Sequence, residues 1–130
     1  MKSKNSLIRL KQFQVTEKHR QVDQLDTMIS EFERMASELD AQIQSEERKA
    51  RITDVNHFAY PTFAKAARTR RDNLFNSIKD LKMQKEAAEG ALMDAEAELQ
   101  KAERLEVREA RAVEEQAPAQ SAYDRSAMIG

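Results

Sequence analysis

The residue types that carry out most protein chemistry are sparse in this sequence. It has two histidines, His19 and His57, and no cysteine. The 23 Asp and Glu residues nearly balance the 22 Lys and Arg residues, and many stand three or four residues from an opposite charge, as solubilising pairs on a helix do. Gly90 is the one internal glycine, which excludes a glycine-rich phosphate loop. The sequence therefore predicts no enzyme activity, no metal site and no cofactor.

Three arginines, Arg68, Arg70 and Arg71, form a basic cluster. They can pair across a helical hairpin with Glu38, Asp40 and neighbouring acids, or contact an acidic protein partner. A third interpretation, phosphate binding, is disfavoured because no aromatic residues interleave with the arginines to stack on bases. The formal net charge of −1 also argues against a nucleic-acid partner.

Three of the seven Phe and Tyr residues fall close together, at Phe58, Tyr60 and Phe63. Their rings can cover the open end of a coiled coil, or at least one can face outward as an anchor for another protein, since aromatic residues dominate contact energies. Both can hold at once. We expect Phe58 to be tucked in and Tyr60 or Phe63 to be exposed.

Long helices must position these residues, because the 130-residue chain has only 2 Gly and 2 Pro and is rich in strong helix formers. We predict a helix over about residues 6–51, a bend over about 52–60 and a helix over about 61–115, with Pro61 suited to the first helical position. The apolar repeat is absent from residues 116–130, which predicts a flexible tail there.

Both predicted helices carry a seven-residue apolar repeat, which is typical of coiled coils. A helix with one apolar stripe is stable only when that stripe packs against a partner. The repeat positions are Ile8, Val15, Val22, Ile29, Ala36 and Ile43 in the first helix, and Ala67, Leu74, Leu81, Ala88, Ala95 and Ala102 in the second.

Blocks of like charge along the chain indicate which partner packs against the apolar stripe, or seam, of each helix. Residues 1–20 and 51–85 each carry a net charge of +5, whereas residues 21–50 carry −5 and residues 86–115 carry −6. Folding the chain back near position 55 places residue i beside about residue 111 − i, and every block then faces its opposite. A parallel dimer would align like charges. The sequence therefore predicts an all-α protein whose two long helices form an antiparallel coiled-coil hairpin over residues 1–115.

The segments Leu7–Val15 and Glu17-Lys18, and above all His57–Ala67 (HFAYPTFAKAA), resemble the FliJ-type flagellar export proteins. The resemblance covers roughly residues 1–110 and is most specific at the bend. It implies a small antiparallel coiled coil, similar to the rotor stalk of rotary ATPases, that belongs to the flagellar type III secretion apparatus.

The resemblance also implies a function and a location. Such a protein is a non-enzymatic stalk or adaptor that links the hexameric export ATPase to the membrane export gate and helps to recycle substrate chaperones. We expect it to be cytoplasmic, at the cytoplasmic face of the inner membrane near the flagellar basal body. It would be monomeric when free and would reach the membrane only through its partners.

The resemblance points to partner-binding residues as well. The gate-contacting patch of the family includes a Tyr-x-x-Phe near the start of the second helix, which Tyr60 and Phe63 match. Ala67 and Arg70 continue that face, one smaller and the other more basic than the family pattern. With Phe58, these are the candidate partner-binding residues. The ATPase-contacting end of the family bears both termini, here the region of Leu7, Leu10, Lys11 and Leu105.

The sequence also allows two functions of other classes. One is a self-assembling structural coiled coil whose seam is completed by a second copy. The other is a weak nucleic-acid-binding coiled coil that uses the arginine cluster, which would show a steep salt dependence.

Overall fold

The computed structural model describes the backbone of residues 2–129 and the side chains of residues 5–115. Helix α1 spans Lys2–Ala50 and helix α2 spans Thr62–Ile129, with a bend between them. The predicted all-α hairpin is confirmed, because α1 and α2 pack against each other extensively. The sequence predicts that the second helix ends near residue 115, whereas the backbone of α2 continues to Ile129. The side chains of residues 116–130 lie outside the described residues, and the flexibility expected of this segment stays a prediction.

The sequence explains where α1 begins and ends. No Gly or Pro interrupts it, so it begins at Lys2, before the apolar repeat that set the predicted start near residue 6. Arg48 and Lys49 lie in its last turn, where basic side chains interact favourably with the carboxyl-terminal end of the helix dipole. No helix within the described residues is long and apolar enough to cross a membrane.

The chain divides into two compact units. The first, His19–Gly90, contains most of α1, the bend and the first part of α2. Its centre is a cluster of Ile29, Ile78 and Leu81, with Leu25 and Phe32 packed against it. The predicted seam is buried along this unit, at Val22, Ile29, Ala36 and Ile43 of α1 and at Ala67, Leu81 and Ala88 of α2.

Ion pairs across this unit give its register. Asp26 bonds Lys85 at 2.6 Å and Asp40 bonds Arg71 at 2.8 Å, and the residue numbers of each pair add up to 111. Glu33 lies 3.6 Å from Lys82, and their residue numbers add up to 115, four more than in the other two pairs. The pairing is therefore antiparallel, and the acidic second block faces the basic third block as the charge pattern predicts.

The second unit contains the described parts of residues 1–18 and 91–130. Ala102 is buried there, and Ile8 and Val15 are half-buried. Lys11 approaches Glu98 at 3.9 Å. Lysine stands here at a seam position, and its long stem lies along the partner helix while the ammonium group reaches the carboxylate.

Candidate functional site

The bend begins where α1 ends in a left-handed residue. Arg51 has a φ of 59°, and the Ile52 N–H donates to the Glu47 carbonyl at 3.3 Å. This six-to-one bond with a left-handed residue inside it is a Schellman motif, a position that favours glycine. The motif stops α1 at Ala50 and turns the chain toward α2.

Hydrogen bonds to two side chains shape the middle of the bend. Asp54 accepts at Oδ1 from the Asn56 N–H at 3.0 Å, the short-range turn that Asp readily forms. The His57 ring accepts at Nδ1 from the Ala59 N–H at 3.0 Å. The Tyr60 N–H donates to the His57 carbonyl, also at 3.0 Å. The bend is therefore an ordered, hydrogen-bonded connection.

Helix α2 begins directly after proline. The Pro61 carbonyl accepts from the Lys65 N–H at 3.0 Å, and Thr62 is the first helical residue. Pro61 is therefore the cap residue that precedes the helix, and not the first helical residue that the sequence suggested. This start sets the direction in which Phe63 and the later residues of α2 project.

Tyr60 ties the bend to both helices. Its side chain is 7% exposed, and its hydroxyl donates to Glu47 Oε2 at 3.3 Å and accepts from Arg68 Nε at 2.8 Å. Arg68 Nη2 also donates to Glu47 Oε2 at 3.1 Å, and its guanidinium lies 5.9 Å from the centre of the tyrosine ring. We call these three residues the Tyr60 latch.

The latch also raises the pKa of its arginine. Hydrogen bonds to Tyr60 and then to Glu47 raise the pKa of the Arg68 guanidinium, against a smaller lowering by burial. A guanidinium is protonated with or without these bonds, and within the latch the buried hydroxyl and the carboxylate are both hydrogen-bonded. The latch fixes the bend by polar bonds where apolar contacts are few.

The other two rings of the cluster face outward. Phe58 is 97% exposed and Phe63 is 56% exposed, and Phe58 stacks on His57 with ring centroids 4.8 Å apart. The expectation that Tyr60 or Phe63 is exposed agrees with Phe63, whereas the expectation that Phe58 is tucked in is wrong. Tyr60 is buried because Glu47 and Arg68 satisfy its hydroxyl, whereas Phe58 stands at the tip of the bend, where neither helix covers it.

The remaining candidate residues separate in the same way. Ala67 is buried in the seam and is not available to a partner, whereas Arg70 is exposed and makes no ion pair with another described residue. The site therefore presents Phe58, Phe63 and Arg70 to solvent. Tyr60 and Ala67 support it from inside.

Two of the three arginines in the cluster pair across the hairpin, and Arg70 is the one left exposed. Arg68 pairs with Glu47 at 3.1 Å and Arg71 with Asp40 at 2.8 Å, so two of the three arginines pair across the hairpin. The hydrogen bond to Asp40, more than that to Asp72, raises the pKa of Arg71. Glu38 instead bonds Arg34 on its own helix.

Glu47 was not singled out by the sequence analysis, although a signal for it exists. It continues a row of acidic residues spaced by seven along α1: Asp26, Glu33, Asp40 and Glu47. That row flanks the apolar seam, which is where coiled coils place charges that pair with the other helix.

The second region that the sequence marked lies in the other unit. Leu7, Leu10 and Leu105 are exposed, and Lys11 is half-buried beside Glu98. These leucines offer apolar surface to a partner. Among the described residues, no three His, Asp or Glu side chains are grouped to hold a metal ion.

The bend and its surroundings define a helical hairpin that presents aromatic rings at the connection between its helices. Comparison of the chain with models of protein families, with curated proteins and with solved structures gives no match.

Proposed function

We propose that the chain is a non-enzymatic adaptor of the flagellar type III export apparatus. In this proposal it links the export ATPase to the membrane export gate, assists substrate chaperones, and works at the cytoplasmic face of the inner membrane near the flagellar basal body. It acts by binding alone.

One observation carries the proposal. The segment most specific for the resemblance, His57–Ala67, is also the segment whose rings are exposed on an ordered bend, with Phe58 at 97% and Phe63 at 56%. A large exposed ring costs solubility unless a partner covers it, and aromatic residues supply much of the binding energy at protein interfaces.

The proposed roles differ among the residues of the bend. Phe58 and Phe63 would contact the export gate, with Arg70 at the edge of that surface. Tyr60 would position them through its bonds to Glu47 and Arg68 and would touch no partner. Leu7, Leu10 and Leu105 would meet the ATPase in the other unit, where all three are exposed.

A binding experiment with purified components tests the proposal. The chain is immobilised and offered the export ATPase and the soluble cytoplasmic part of the gate protein, both from the same organism. We expect both to be retained. Phe58→Ala with Phe63→Ala should weaken gate binding at least tenfold and leave ATPase binding unchanged, because truncation of an interface anchor typically costs about 2 kcal/mol or more.

Phe75→Ala is the matched control, since Phe75 is an exposed ring on α2 away from the bend. It should leave gate binding unchanged. Failure of the wild-type chain to bind either protein would refute the proposal. Undiminished gate binding by the double variant would refute the role of the bend while leaving the adaptor function in place.

A further inference from the structure

The two flanks of the seam in the His19–Gly90 unit differ in charge. On one flank, α1 presents four acidic residues spaced by seven, and each is bonded to a basic residue of α2. We call this the charged flank; its pairs are Asp26–Lys85, Glu33–Lys82, Asp40–Arg71 and Glu47–Arg68. These bonds cover that side of the seam with long side chains.

The opposite flank is built from other residue types. Three residues of α1 spaced by seven, Met28, Met35 and Gln42, stand on the far side of the seam from the acidic row. The corresponding residues of α2 are Ser77 and Gln84, preceded by Arg70. We call this the methionine flank. Met28 and Met35 are each 42% exposed.

An open groove runs along the methionine flank between the two helices. Its volume is about 490 Å³. Phe32, Leu39 and Leu74, all half-buried seam residues, form its apolar floor, and Met35 and Arg70 stand among the residues of its rim. No bonded charge pair bridges the helices here among the described residues, so the floor stays accessible from the side.

We propose that this groove binds an amphipathic α-helix of a partner protein, which places apolar residues on the floor and a carboxylate against Arg70. An apolar groove between two helices is the surface on which a third helix docks through residues at i, i+3, i+4 and i+7. Methionine side chains adapt to such a guest because they are flexible and polarisable. The α1 residues that line the groove run from Phe32 to Gln42, about 15 Å, which is close to three turns of a guest helix.

Charge identifies the guest as a different protein. Arg70 is exposed at the rim and has no ion-pair partner among the described residues. The carboxylate that lines the groove, Glu38, is bonded to Arg34 at 3.2 Å. A second copy that docked by the same flank would bring another Arg70 and no uncommitted carboxylate to meet it. A guest helix with a Glu or Asp at that end supplies the missing charge.

This inference goes beyond the proposed function and does not depend on it. The groove lies along the helices, whereas the gate contact is assigned to the rings of the bend. A chain with no role in export would still offer this flank to a helix. Arg70 stands at the edge of both surfaces, but the groove variant Met35→Glu below leaves Phe58, Phe63 and Arg70 intact, so either idea can fail while the other stands.

The methionines supply a direct measurement of the groove. The chain has six, and labelling them with ¹³C-methyl groups gives one NMR signal for each. The probe is a synthetic two-heptad helical peptide with Leu on one stripe and a Glu placed to reach Arg70. We expect the Met35 signal to shift on titration, because Met35 lines the groove. The Met83 and Met93 signals should not move, because those side chains are exposed outside the groove.

Variants connect that shift to the proposed contacts. Met35→Glu should weaken peptide binding at least tenfold, and Met83→Glu, an equal change at an exposed position outside the groove, should leave it unchanged. Arg70→Glu should weaken binding of the Glu peptide and strengthen binding of a peptide with Lys in its place. Circular dichroism should show equal helix content in all three variants, since every substituted side chain is exposed.

Three outcomes would overturn the proposal. The first is no shift of the Met35 signal up to the solubility limit of the peptide. The second is equal weakening by Met35→Glu and Met83→Glu. The third is a sedimentation mass of twice 14.9 kDa for the free chain that falls to the monomer value in Met35→Glu, since that result would assign the groove to a second copy.

Discussion

At the scale of single residues, the availability of a polar partner decides which aromatic ring is buried. Tyr60 and Phe58 lie two positions apart in the bend, and their side chains are 7% and 97% exposed. Only tyrosine has a hydroxyl, and Glu47 and Arg68 bond it. These partners stand 13 and 8 positions from Tyr60, so no local pattern could show that they meet.

Removing the hydroxyl tests the latch. Tyr60→Phe keeps the ring but takes one partner from Glu47 and from Arg68, and hydrogen bonds to charged groups contribute about 1.5–3 kcal/mol. Because Arg68 and Glu47 still bond each other, we expect a loss of about 1–2 kcal/mol in the free energy of unfolding, measured by urea denaturation. Phe58→Ala is the control and should change it by less than about 0.5 kcal/mol. Equal losses in the two variants would contradict the latch.

A substitution at the residue that follows α1 should raise the free energy of unfolding instead of lowering it. Arg51 has a φ of 59°, a conformation that costs about 1 kcal/mol for a residue with a Cβ and almost nothing for glycine. Arg51→Gly should therefore raise the free energy of unfolding by about 0.5–1 kcal/mol in the same urea experiment. Arg48→Gly, one turn earlier inside the helix, should lower it by a similar amount. Destabilisation by Arg51→Gly would show that this side chain contributes more than its strain costs.

At the scale of the elements, the sequence predicts the helices and their register but not the surface of the bend. The seven-residue repeat predicts which face of each helix is buried, and Val22, Ile29 and Leu81 follow it. The charge blocks predict the antiparallel alignment, because opposite charges attract and like charges repel along whole helices. The bend depends on individual bonds such as Ile52 to Glu47, and such bonds leave no period in the sequence.

The charged flank predicts a pH dependence. The hydrogen bond to Asp26, more than any other contact, raises the pKa of Lys85 above the usual lysine value of 10.5. The folded chain therefore holds this proton more tightly than the unfolded chain, so the contribution to stability is complete below pH 10.5 and is lost as the pH rises through the raised pKa. The urea midpoint of Lys85→Gln should lie below that of the wild type at neutral pH, and the difference should shrink above pH 10.5.

Lys79→Gln controls for general effects of lost positive charge. Lys79 is exposed on the same helix and has no ion-pair partner among the described residues. Its urea midpoint should follow that of the wild type across the whole pH range. If the difference in urea midpoint between Lys85→Gln and the wild type stays the same above pH 10.5, the ion pair with Asp26 does not stabilise the hairpin.

At the scale of the whole molecule, the chain completes its own hydrophobic seam. In one unit Ile29 packs with Ile78 and Leu81 of the same chain, and in the other Lys11 reaches Glu98 of the same chain. Each unit has the antiparallel pairing that the alternating charge blocks favour. A self-assembling coiled coil needs a helix stripe that has no partner in its own chain, whereas here Ile29 of α1 packs against Ile78 and Leu81 of α2.

Spin labels can separate pairing within one chain from pairing between two. Glu33 and Lys82 lie 3.6 Å apart across the exposed edge of the charged flank, and the chain has no cysteine of its own. Glu33→Cys with Lys82→Cys therefore places two nitroxides side by side with little effect on the core. We expect a short distance by double electron–electron resonance, whereas Glu33→Cys with Met83→Cys should give a longer one, because Met83 faces away from the seam and is largely exposed.

Dilution completes this test. The doubly labelled chain is unfolded in urea with a large excess of unlabelled wild-type chain, and the mixture is refolded together. If the helices pair within one molecule, each label keeps its neighbour and the short distance survives unchanged. If the seam were completed by a second copy, most labelled chains would refold against unlabelled ones and the short distance would vanish. We expect it to survive, because an antiparallel hairpin closed by its own bend pairs its helices at a far higher effective concentration than two separate chains can reach.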